Sequence, residues 1–175
     1  MRDETTAGPV GAPQGGRHPP GGANLSSPLQ ARAAFLKNWS WESVLSLNRA
    51  ACERGGAQHG LNEETQAATA REWEAKRGRA CTFQETLAFL RRCHHRAPFV
   101  AFNGKTFADI GSQLATALLA DAPPGRRPVA ASAVAQYVAG EVEHEALARM
   151  LEALAEGADW TPLSPELVVA QPHIG

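Results

Sequence analysis

The chain has 175 residues, of which 43% are hydrophobic and 20% charged; this is the size and make-up of one ordinary globular domain and leaves no room for a second. Seventeen Lys and Arg against eighteen Asp and Glu give a formal charge of -1, which argues against the nucleic-acid binding that a strongly basic chain achieves by releasing counterions. No stretch approaches the roughly 18 consecutive apolar residues of a membrane span, because even Val129 to Ala139 is broken by Ser132 and Gln136.

From Met1 to about Pro28 the chain is rich in Gly, Pro, Ala and Ser and has no periodic apolar positions, so residues 1–28 are expected to be a disordered leader. The opening Met1-Arg2-Asp3-Glu4 has the pattern of neither a secretory signal nor an Arg-rich transit peptide, so a cytoplasmic location is expected. Cys52, Cys81 and Cys93 are odd in number and widely spaced, the usage of free thiols in a reducing compartment rather than of a disulfide framework.

The first predicted helix runs from Trp41 to Glu53. Trp41, Val44, Leu45, Leu47, Ala51 and Cys52 share one face, Ser40 supplies an N-cap, and Gly55 and Gly56 supply the stop. Asn48 projects into that apolar face and is expected to be a hydrogen-bonded core amide. A polar helix from Asn62 to Arg77 follows, with Glu63 and Glu64 in its first turn and Lys76 and Arg77 in its last, as the helix dipole prefers. Its one large apolar anchor is Trp73, so it is expected on the surface, as a solvated helix in the first place and otherwise as a mobile or partner-facing element.

Thr82-Phe83-Gln84-Glu85 is a capping box that opens a helix to about His95, buried through Phe83, Thr86, Leu87, Leu90 and Cys93 and ended by Pro98. Phe99 to Phe102 is β-prone, and Asn103-Gly104 is predicted to turn. Thr106 is expected to cap a helix to about Ala120, with Phe107, Ile110, Leu114 and Leu118 inward and Gly111 permitting a close helix approach. Val129 to Ala139 is apolar all round and is predicted as a central buried helix. A last amphipathic helix, Glu141 to Glu156, is expected to bury Leu147, Met150, Leu151 and Leu154. The predicted fold is therefore all-α: a compact bundle or orthogonal packing of five to six helices, with at most one short extended segment near 99–102. The predicted organisation is one helical domain over 29–160 and an irregular tail over 161–175.

Phe102-Asn103-Gly104-Lys105-Thr106 has the parts of an anion cradle: a short extended run, a Gly turn, a Lys and the start of a helix. It is not a P-loop, because Phe99 stands where that motif needs its first Gly. Asn103, Gly104, Lys105 and Thr106, with Arg96 nearby, are the candidate binding residues for a phosphate- or carboxylate-bearing ligand. Cys93-His94-His95 contains metal-ligand residue types, but neighbours on a helix diverge by about 100° and cannot all face one ion. Glu141-Val142-Glu143-His144 has the Glu-x-x-His spacing of a di-iron bundle without a second copy, and its acids suit a helix first turn. Thr106 to Leu114 opens like a helix-turn-helix, yet Ala115 to Ala120 continues apolar where a polar reading helix belongs. Neither a Gly-x-Ser-x-Gly elbow nor an ordered Ser, His, Asp set is present.

No catalytic residue, metal or cofactor is therefore assigned. The expected function is that of a non-enzymatic cytoplasmic interaction or regulatory domain, engaging a protein partner or a second copy of itself. The alternative is a small-molecule binder or enzyme using the 103–106 turn, and a third reading is weak nucleic-acid binding through Arg91, Arg92, Arg96, Lys105, Arg126 and Arg127.

Overall fold

In the computed structural model, residues 29–155 are described; the expected leader 1–28 and tail 161–175, with Trp160, lie outside them. Six helices follow in order: α1 Trp41–Gly55, α2 Gln66–Arg77, α3 Phe83–Arg96, α4 Asn103–Leu118, α5 Arg126–Ala139 and α6 His144–Ala155. The fold is all-α, and among the described residues the only extended pairing consists of two isolated bridges, Ala33 with Cys81 and Leu61 with Phe99.

α1 and α3 start where their local chemistry dictates. The Ser40 hydroxyl accepts from the Ser43 N–H at 3.1 Å. At α3 the capping box is complete: Thr82 Oγ1 accepts from Glu85 N–H at 3.1 Å, and Glu85 Oε2 accepts from Thr82 N–H at 2.7 Å.

Four helix starts differ from the periodicity reading, α5 by beginning at Arg126 rather than Val129. α2 begins at Gln66 rather than Asn62: the Asn62 side chain does make a cap-type bond, accepting from Glu64 N–H at 3.1 Å, but residues 63–65 form a turn ahead of the regular helix, and the Asn62 N–H pairs across the chain with Pro98 O at 2.9 Å. α4 begins at Asn103 rather than after Thr106: Phe102 takes the left-handed conformation at φ 59 and serves as N-cap, so Asn103 and Gly104 form the first helical turn. Thr106 is then internal, its hydroxyl donating back to Phe102 O at 2.8 Å. α6 begins at His144, which leaves Glu141 outside the helix and removes the shared face that Glu-x-x-His spacing requires.

α4 and α5 form the most extensive helix pair. Gly111 makes it so close: a Cβ there would stand 2.9 Å from Val134 Cγ1 and 3.3 Å from Val138 Cγ2, so any side chain would push the helices apart. α5 is one-sided rather than buried all round, since Ala130, Ala133, Val134, Tyr137 and Val138 face inward while Val129 is 49% exposed. α6 buries Leu147 and Leu151 and leaves Met150 at the surface.

The core is centred on aromatic rings. Trp73 is fully buried and packs on Trp41, Phe89 and Phe107 at centroid distances of 5.9, 5.6 and 6.1 Å, while its indole N–H donates to Trp39 O at 2.7 Å. α2, polar by sequence, is thus fixed through the middle of the core. Glu74 adds a second tie, accepting from the Trp41 N–H at 2.8 Å at the start of α1; that bond holds its carboxyl below the usual range. Ahead of α1, Leu29, Ala33, Phe35, Leu36 and Trp39 are all buried, and no regular periodicity marks them in the sequence.

Candidate interaction surface

Residues 60–62 and 98–100 lie antiparallel as a minimal two-stranded ribbon. The Asn62 N–H donates to Pro98 O and the Val100 N–H to Gly60 O, both at 2.9 Å, so Leu61 and Phe99 sit opposite each other as a non-hydrogen-bonded pair. Phe99 anchors the ribbon: it is buried and stacks on Trp41 at 5.8 Å and Phe107 at 6.1 Å. Leu61, on the same face as Phe99 but at the rim, is 42% exposed. Val100 points from the other face and is 71% exposed. It lies across Gly60, where a Cβ would come within 2.9 Å of Val100 Cγ2, so residue 60 has no space for a side chain.

Two non-glycine residues in left-handed conformation bracket this loop, Ala97 at φ 48 and Phe102 at φ 59. Each costs about 1–2 kcal/mol relative to ordinary backbone. The loop is held in this conformation by specific partners. Asn103 bonds both main-chain groups of Phe99, its Nδ2 donating to Phe99 O at 2.7 Å and its Oδ1 accepting from Phe99 N–H at 3.0 Å. Phe102 lays its ring on Gly55 at the end of α1.

Asn48 supports the loop from beneath. It is fully buried, as the sequence reading expects of a core amide, and its Nδ2 donates to Ala101 O at 3.0 Å and to Thr106 Oγ1 at 2.9 Å. Its Oδ1 therefore faces His59 Nδ1 at 2.8 Å and makes that nitrogen the protonated one. The same oxygen receives the Cys52 thiol at 3.7 Å.

The residues marked as an anion cradle are placed as follows. Asn103 is occupied by Phe99, and Thr106 is buried between Asn48 and Phe102. Gly104 lies against the His94 ring, and Lys105 pairs with Asp109 at 3.5 Å. Arg96 turns to Glu72 on α2, which Arg92 also approaches at 3.8 Å. Asn103 to Thr106 are adjacent through their helix, but these side chains are directed to separate partners within the fold. Arg91 likewise engages Glu143 at 3.3 Å and the Tyr137 ring at 4.9 Å.

Cys93 is buried, and burial pushes its thiol up to about 12, the opposite of what a nucleophile or metal-ligating thiolate needs. Among the described residues no three His, Cys, Asp or Glu side chains converge on a metal position. His94 is held below its usual range, first by burial and then by the neighbouring His95. The folded state thus binds fewer protons at this group than the unfolded chain, and the stability it contributes is complete above the unfolded value of 6.5 and is lost as pH falls toward the lower folded value. Urea unfolding at neutral pH and again one to two units below it is expected to show a loss for the wild type and a smaller loss for His94→Gln; equal losses would refute this assignment.

The described residues define a six-helix all-α domain bearing a short ribbon with an outward valine. No helix among them is long and apolar enough to cross a membrane. No protein-family model, curated protein or solved structure matches the chain.

Proposed function

We propose that this chain is a non-enzymatic cytoplasmic interaction or regulatory domain, and that the 60–62/98–100 ribbon is the surface it presents to a protein partner. One observation carries the reading: Val100, 71% exposed, is held out from a loop bracketed by two strained non-glycine residues and braced by Asn48 and Asn103. A single exposed apolar side chain is ordinary in itself, but this one sits on a loop whose strained backbone is fixed by buried partners, and that rigidity supports reading it as a contact site. The three cysteines, all free and buried, support a reducing compartment.

The test compares the sets of proteins captured from native lysate by the wild type and by Val100→Asp. The substitution adds a charge at an exposed position and is expected to leave the unfolding midpoint unchanged while removing at least one captured protein. Identical captures by the two proteins, with both sedimenting as monomers, would overturn the reading.

A further inference from the structure

Resting on the interaction reading above, the geometry points to the Leu61 edge of the ribbon as the place where an extended peptide segment of a partner protein is added as a strand, with apolar residues at two neighbouring positions and a Lys or Arg beside them. The hydrogen-bond pattern decides which edge. Because the bonds from Asn62 and Val100 flank the Leu61–Phe99 pair, the N–H and C=O of those two residues point away from each other, toward opposite outer edges. Phe99's outward pair is closed by the Asn103 amide. Leu61's outward pair has no hydrogen-bond partner among the described residues. An added strand gains both of these bonds, the main-chain recognition on which strand addition relies.

The side chains set what the strand carries. Successive residues of a strand face opposite ways, so one meets the exposed Leu61 on the inner rim and the next lies over Gly60. There the Val100 side chain covers Gly60 and is itself largely exposed, so an apolar group at that position packs against the valine. Glu63 and Glu64 follow directly, both exposed and neither in an ion pair among the described residues. A cation on the incoming strand a residue or two along complements them.

The probe is a phage-displayed library of random linear peptides selected on the full chain, followed by NMR titration of an enriched synthetic peptide into the isotope-labelled chain. The expected result is enrichment of adjacent apolar residues next to Lys or Arg, with slowed hydrogen exchange at the Leu61 amide on binding. Val100→Asp and the double variant Glu63→Lys/Glu64→Lys are each expected to weaken binding by about tenfold or more. Three results overturn the proposal: no enrichment relative to selection on Val100→Asp, peptide binding that leaves exchange at Leu61 unchanged, or protection of Leu61 that appears on concentrating the chain alone, which would make the occupant a second copy. If the selection fails while Val100→Asp still loses a captured protein, strand addition falls and the interaction surface stands; if both fail, the interaction reading falls with it.

Discussion

Trp73→Ala is expected to lower the unfolding free energy by about 3–5 kcal/mol, the range for removing a buried tryptophan from a packed core. The substitution empties the position where Trp41, Phe89 and Phe107 meet and leaves Trp39 O without its donor. Since a domain of this size has about 5–15 kcal/mol in total, urea denaturation followed by circular dichroism should show a large drop in midpoint. Trp73→Phe restores most of the ring volume but not the N–H, so it should recover much of the loss and remain about 1 kcal/mol or more below wild type. A loss under about 1 kcal/mol for the alanine variant would mean that α2 is peripheral after all.

The second large effect is expected at Asn48. Alanine there leaves Ala101 O and the His59 ring nitrogen without their partner and takes from the Thr106 hydroxyl the donor it accepts from, while that hydroxyl still donates to Phe102 O; losing these bonds from a fully buried amide makes a loss of about 2–4 kcal/mol the expected result. The loss should be strongly non-additive with His59→Ala, because the two side chains share one hydrogen bond. Hydrogen exchange offers a local check: backbone amides of residues 99–102 should exchange faster in Asn48→Ala than the global destabilisation accounts for. If they open only with the rest of the molecule, Asn48 stabilises the core without bracing the loop.

The parts of this molecule that are readable from sequence are those fixed by neighbours a few residues apart. The capping box at Thr82 and Glu85, the Ser40 cap and the apolar stripe of α1 all lie within one or two helical turns, and each appears in the structure as periodicity and capping chemistry predict. The misplaced start of α4 and the pairing of Asn62 depend on distant residues. Asn62 makes its local cap-type bond to Glu64 N–H, but its pairing with Pro98, distant in sequence, is not visible in the sequence. Phe102 adopts a conformation that its type disfavours because α1 offers its ring a seat. Trp73 reads as an isolated anchor on a polar helix, since its partners come from three other helices and from the stretch before α1. Of the cradle residues, Arg96 meets Glu72 from another helix, which the sequence does not show, whereas the Lys105–Asp109 pair is an i,i+4 contact that helical spacing allows. Of the ribbon, sequence shows only the β-prone run at 99–102, because the pairing with Leu61 and the role of Asn103 depend on the assembled fold.

The Asn103 amide that bonds both main-chain groups of Phe99 has a consequence for solubility. Ribbons with two unsatisfied sides template indefinite stacking, which is how edge strands seed fibrils. Here a side chain of the protein itself terminates one side, so the ribbon can take on a single neighbour and cannot be propagated through into a growing sheet. With one side closed, pairing at the ribbon stops at a single added strand instead of nucleating polymerisation.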